Sequence, residues 1–220
     1  ELHKTILQVP LSWLPANLRP DGEIPVFFTQ DVPGADDTMT VWGNSCAAVE
    51  MNGLLGLLDY DWSTYAALIE TSAQNLFRRI GQWGLMPLGH YGLAYGLWGT
   101  FKLMHQLSTK TPSAELQTLI DQAIPVLRQQ LKQAAQQAPL TPQNAAFFTL
   151  ACCDYPPNRF LLEEGWITQL IKRQHYDGSW DNEPLFATCQ QGGQSTWYTS
   201  RSVTTAFCYH ALRSYHGGPQ

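Results

Sequence analysis

An all-α domain is what this sequence predicts, and three observations carry the prediction. Apolar residues recur at three- and four-residue spacing along most of the chain, most regularly at Leu116, Leu119, Ile120, Ala123, Ile124 and Leu127. Gly, Pro and Asp punctuate these runs at intervals suited to short helix–helix connections. Period-two alternation of useful length is absent, apart from a short extended piece at Ile24–Phe28.

In order, the runs predict helices over Lys4–Leu14, Asp36–Leu58, Ser63–Ile80, Tyr91–Leu107, Ser113–Gln137, Gln143–Cys153, Phe160–Lys172 and Thr199–Tyr215, with a Pro-rich linker after the first. Ser113 and Thr141 are helix starts, because a hydroxyl accepts from the free N–H groups of a first turn; Pro142 suits the next position, where no N–H is needed. Pro125 lies inside the fifth run and predicts a kink there.

Composition narrows the function. A chain of 220 residues is most simply one domain, residues 1–220. Hydrophobic residues make up 44% and charged residues only 14%, with eight Trp, which fits a large apolar interior or cavity. The net charge of −5 and the lack of a basic run exclude phosphate-neutralising contacts, so no nucleic-acid partner is expected. Five cysteines, at 46, 152, 153, 189 and 208, are odd in number and irregular in spacing, pointing to a reducing, cytoplasmic compartment. The apolar stretch Leu85–Met104 is broken by Pro87, His90, Lys102 and glycines. A soluble protein is expected, with peripheral membrane contact as the way to collect a greasy substrate.

The most informative motif is Gln174-His175-Tyr176-Asp177-Gly178-Ser179-Trp180, directly after an amphipathic run. Asp-Gly marks a tight turn, since Gly takes the positive φ that ends a helix. Gln and Trp flank that turn at a spacing suited to stapling one helical hairpin to the next. Arg19-Pro20-Asp21-Gly22-Glu23-Ile24 echoes it, with Ile24 where Trp180 stands, and Gly81-Gln82-Trp83 repeats its ending. Alternating polar outer and apolar inner helices, about four hairpins in all, follow from that repetition. Leu170, Gln174, Gly178 and Trp180 resemble the Gln-Trp repeat of the terpenoid cyclase and protein prenyltransferase superfamily; Gln169 stands where that repeat has an aromatic. The resemblance implies an α/α toroid-like barrel of stacked hairpins. Four hairpins are fewer than a full cyclase ring holds, so the ring is small, open, completed by a partner domain or homo-oligomer, or part of a longer protein.

Gly34-Ala35-Asp36-Asp37-Thr38 is the chemical candidate. A helix N-terminus favours ionised carboxylates, while burial and mutual repulsion raise one pKa so that a neutral acid persists. Beside an apolar cavity such an acid can protonate an alkene. The stretch resembles the Asp-x-Asp-Asp-Thr acid motif of class II terpenoid cyclases, with Gly34 in place of the first Asp. On that resemblance Asp36 is the proton donor and Asp37 its neighbour; an Asp-Asp helix cap is the competing structural role. His90, in Gly89-His90-Tyr91-Gly92, can hydrogen-bond and reload the acid, against a plain helix-terminal role. Trp42, Tyr91, Tyr95, Trp98, Trp197, Tyr198 and Phe207, with Phe101 and Tyr209, fall on or just before predicted inner helices. Their rings can pack a core or steady carbocations, worth about 2 kcal/mol per desolvated ring.

No cofactor is expected. Cys152-Cys153-Asp154 has the wrong order for the zinc site of a prenyltransferase, so no metal is expected either. Gly192-Gly193 with Ser195 and Arg201 can serve as an anion site or a mobile linker. Taken together, these readings predict a class II terpenoid cyclase that starts cyclisation of a polyprenyl substrate by protonation in an aromatic-lined cavity. Two rivals remain: a non-catalytic isoprenoid-binding module, and an α/α-barrel carbohydrate-active enzyme pairing Asp36 with Asp177 or Asp181.

Overall fold

In the computed structural model the described residues are Arg19, 22–24, 46–85, 91–189 and 195–217. The expected helix Lys4–Leu14, most of the Ile24–Phe28 piece and the first part of Asp36–Leu58 lie outside them. The described residues are mostly helical: α1 Ala47–Trp83, α2 Leu93–Ser108, α3 Ala114–Gln137, α4 Pro142–Cys153, α5 Glu164–Lys172 and α6 Arg201–Gly217. No helix among them is long and apolar enough to cross a membrane.

Local chemistry sets the helix ends. α1 joins two expected helices across Asp61, whose backbone leaves helical geometry at φ −165° and ψ 92°. The Asp61 carboxylate then caps the second half, accepting from the Thr64 backbone N–H at 3.2 Å and from the hydroxyls of Ser63 at 2.6 Å and Thr64 at 2.7 Å. Those hydrogen bonds, from Ser63 first and then Thr64, lower its pKa to about 2. Ser113 and Thr141 cap α3 and α4 by accepting from Leu116 N at 3.3 Å and Asn144 N at 3.2 Å. α3 runs on through Pro125 as one helix.

Two expectations need correction. The run Phe160–Lys172 is a 3₁₀ turn, Pro156–Leu161, followed by α5. The break lies at Leu162 and Glu163, both extended, after which Glu164 opens α5. Strand pairing also occurs: β1 Pro184–Cys189 and β2 Ser195–Thr199 form an antiparallel pair, with a register irregularity between Pro184 and Phe186. Thr, Trp and Tyr in β2 fit a pleated strand, and they displace the expected start of the last helix from Thr199 to Arg201.

Packing follows apolar content. α1 packs on α2 and α3, α2 on α4, and α4 on α5 and α6. α4 reads Pro-Gln-Asn-Ala-Ala-Phe-Phe-Thr-Leu-Ala-Cys-Cys, is apolar all round, and has a continuous buried run from Ala145 to Cys152. At the α1–α2 contact Gly99 lets the helices close: a Cβ there would stand 1.9 Å from Met51 Sδ.

The repeat seen in sequence recurs in the backbone. Gly22 and Gly178 both take positive φ, +85° and +82°. Each donates its N–H to the carbonyl three residues back, Arg19 or His175, at 2.9 Å. Arg19 N–H reaches Glu23 O at 3.1 Å, and His175 N–H reaches Ser179 O at 2.8 Å, closing the same turn. Two residues past each glycine a side chain is buried, Ile24 in one turn and Trp180 in the other. The Ile24 N–H donates to Glu50 of α1 at 3.2 Å, and the Trp180 N–H to Thr205 of α6 at 3.1 Å. Gly81-Gln82-Trp83 departs from this pattern, because Trp83 is 65% exposed. Gly84 ends that helix instead at φ +75°, and Leu85 takes the buried place, clasped by Gln130 through both its N–H and its carbonyl.

Candidate functional site: an aromatic assembly

Four elements bring their rings together. Tyr91 lies just before α2 and stacks on Tyr95 with centroids 4.9 Å apart; Phe186 of β1 meets Tyr91 at 5.3 Å. Tyr95 then meets Trp98 at 5.6 Å, Phe147 of α4 at 5.4 Å and Phe207 of α6 at 6.2 Å, each edge to face. Trp98 stacks on Phe147 at 5.7 Å, and Phe147 meets Phe207 at 4.9 Å. The four-then-three spacing of Tyr91, Tyr95 and Trp98 puts them on one side of the chain, as helical periodicity requires. Tyr198 of β2 extends the row to the surface through Phe186, at 6.0 Å.

Polar anchors fix the rings. Tyr95 donates its hydroxyl to Asn52 Oδ1 of α1 at 2.8 Å, and Trp98 donates Nε1–H to Asp154 Oδ2 at 2.8 Å. Lys102 holds its ammonium 5.6 Å from the Trp98 ring centroid. Burial raises the Tyr91 and Tyr95 pKa values, with a further push on Tyr91 from Cys46, so both phenols stay neutral near pH 7. The hairpin is held by a buried polar node. Gln143 Nε2 donates to Pro184 O at 2.8 Å, and Thr204 donates its hydroxyl to Gln143 Oε1 at 3.0 Å. Glu183 accepts from Gln143 N at 3.1 Å, and its pKa is raised chiefly by burial.

Of the expected site residues, Tyr91, Tyr95, Trp98 and Phe207 come together. Trp197 and Tyr198 differ: they are 47% and 53% exposed on the hairpin, so they are not walls of a buried chamber. Alternation along β2 sends these neighbours to opposite faces, and only Tyr198 faces Phe186. Trp42, Asp36, Asp37, His90 and Gly192-Gly193 lie outside the described residues. Phe147 and Phe186 join the assembly without having been singled out by sequence. Phe147 sits in a helix too uniformly apolar to show a face, and Phe186 in a strand that periodicity did not reveal.

Other candidates resolve into structure. Asp177 accepts from the Ser179 hydroxyl at 2.6 Å and N–H at 3.0 Å, which holds its carboxyl below the usual range, and Arg201 lies 3.2 Å away. Asp181 meets His175 Nε2 at 3.0 Å. Both carboxylates are exposed members of the turn. Gln174 is also exposed, and its amide donates to Gly178 O at 3.0 Å rather than packing into the core.

Burial lifts the Cys152 and Cys208 thiols to about 12. Thiolate is the reactive form, so neither should react with a disulfide reagent at about pH 8 until denaturant is added. Rapid labelling of either in the folded protein would contradict that expectation.

Comparison of the chain with family models and with curated protein sequences returned no match.

Proposed function

We propose that this chain is a polyprenyl-handling domain of the class II terpenoid cyclase kind, with its helical hairpins arranged as part of an α/α toroid. The aromatic assembly carries the reading: neutral rings from α2, α4, α6 and β1 converge where His90 directly precedes Tyr91 in sequence. The duplicated glycine turn supports the repeat architecture. In this mechanism Asp36 gives its proton to a terminal alkene or epoxide. Electron pairs of neighbouring double bonds close rings onto the carbon left positive, and loss of a proton or addition of water ends the sequence. Tyr91, Tyr95 and Phe186 offer ring faces to the cation. Asp37 tunes the acid, and His90 returns its proton.

A binding module without catalysis is the second reading, favoured by a specific observation. Trp98 is enclosed by Phe147, Tyr95, Phe207 and His210, and carries Lys102 on its ring, so its indole is already occupied. Gly34 in place of the motif's first Asp favours it too.

Asp36→Asn separates the two. The amide is nearly isosteric and cannot protonate an alkene, so a cyclase variant binds substrate as the parent does and loses turnover by at least about a hundredfold. Incubation with squalene, oxidosqualene, farnesyl diphosphate and geranylgeranyl diphosphate, followed by product analysis, reads the result. A parent that retains one of these lipids unchanged is a carrier. One that neither binds nor converts any of them sinks both readings.

A further inference from the structure

Four of the helices stand side by side in a row. Met51 of α1 lies against Gly99 of α2, and further along Asp59 accepts from Gln106 Nε2 at 3.1 Å, so the first half of α1 runs parallel to α2. Tyr95 of α2 meets Phe147 of α4, and Trp98, one turn on, bonds Asp154 at the end of α4. Gln143 of α4 meets Thr204 of α6, and Phe147, one turn on, meets Phe207. Every step of the row is parallel, each helix turning one side to the next.

The duplicated turn puts the two ends of this row on one scale. Ile24 N–H bonds the buried Glu50 in α1, and Trp180 N–H bonds Thr205 in α6, so Glu50 and Thr205 hold equivalent places. Counting outward from them, Val203, Ala206, Tyr209 and Arg213 of α6 match Ala48, Met51, Leu54 and Leu58 of α1. The four in α1 are buried, whereas the four in α6 are exposed, on the side turned away from α4. At the other end the relation reverses. Ala211 and Ser214 of α6 are buried, while their matches in α1, Gly56 and Asp59, are exposed. Among the described residues a Cβ at Gly56 would meet nothing within 4 Å. Each end of the row is thus open at positions that the other end has filled.

We propose that a second copy of this chain packs head to tail on the first, with the exposed face of α6 seated on the Gly56–Asp59 face of α1 in the next copy. This goes beyond the polyprenyl reading and does not depend on it. Continuity favours that occupant, because the contact repeats the parallel packing that already joins α1 to α2. Charge favours it as well. α6 carries Arg201, already paired with Asp177, and Arg213, and has no acidic residue. Arg213 and Asp59 stand at matching heights when counted from Arg201 and Ala47, so the contact sets a guanidinium beside a carboxylate. Gly56 leaves room beside them for the Tyr209 ring. Two α6 helices meeting about a two-fold axis would bring arginines together with no carboxylate on either helix. A head-to-tail contact is heterologous, so addition continues until a ring closes or a filament grows.

Sedimentation velocity from about 1 µM to about 1 mM chain reads the association. The parent should pass from single chains to multiples as concentration rises. Arg213→Asp and Asp59→Arg should each weaken association at least about tenfold, since a like pair replaces the opposite one. Mixed in equal amounts, the two should associate as the parent does, because every contact between unlike copies again pairs an arginine with an aspartate. Ala206→Arg and Gly56→Arg, both at exposed positions, decide the matter if a charge variant does not fold. Each alone should stay single, and their mixture should stop at pairs, since one sound α6 face and one sound α1 face remain between them. A parent that stays single throughout overturns the proposal. So does association that survives Ala206→Arg or Gly56→Arg, or a mixture of either kind that remains unassociated.

Discussion

Trp180→Ala should cost about 3–5 kcal/mol, the range for truncating a fully buried aromatic. The indole is 1% exposed and donates Nε1–H to the carbonyl of Leu170 at 2.8 Å, near the end of α5. Its backbone N–H is held by Thr205 of α6, so one residue fastens the turn to both helices. Alanine would leave a cavity and orphan the Leu170 carbonyl, adding to the loss of transfer energy. Trp180→Phe separates these effects: it keeps most of the bulk, forfeits the hydrogen bond, and should cost less than the alanine. Urea unfolding would show a lower midpoint with an unchanged slope. A loss of under about 1 kcal/mol for alanine would mean that the turn is not a staple.

Gly99→Ala and Met51→Ala should both destabilise the α1–α2 contact, by opposite means. The new Cβ would lie 1.9 Å from Met51 Sδ and 2.4 Å from its Cε, and Met51 is itself buried. Methionine is flexible, but at 1% exposure Met51 can turn aside only by pressing on packed neighbours. Overpacking of this kind costs about 1–3 kcal/mol. Met51→Ala alone should cost about 2–5 kcal/mol by leaving a void. Together they should cost less than the sum of the two, because the added methyl enters space the thioether has vacated. Additivity within about 0.5 kcal/mol would show that the two residues do not share that space.

Helix content and most helix ends were legible in the sequence because they rest on local signals: three-four spacing, Ser113 and Thr141 as caps, and the Asp-Gly turns. The matching of Arg19–Ile24 with His175–Trp180 was legible for the same reason, since a turn is specified by its own few residues. Tertiary consequences were not. Trp83 ends a helix as the motif suggested, yet its indole faces solvent while Leu85 is buried, a choice made by Gln130 on a distant helix. The hairpin escaped notice because its short strands gain their order from Gln143 and Thr204 rather than from a long alternating pattern. At the aromatic assembly, sequence identified Tyr91, Tyr95, Trp98 and Phe207, whereas Phe147 and Phe186 depended on which elements pack together. Glu50 gave no signal at all, because an acidic residue in a first helical turn is ordinarily a solvated one.

The nearly complete burial of α4 has a consequence for how the molecule comes apart. A helix with a wet side can loosen on its own, trading buried surface for water one turn at a time. Pro142–Cys153 lacks such a gradual route: from Ala145 to Cys152 each residue is shut away, so opening it strips apolar surface from α2, α5 and α6 in the same event. The helix is too short and too apolar to hold its shape unaided once exposed. It is therefore expected to open only together with α2, α5 and α6, as part of one cooperative unit.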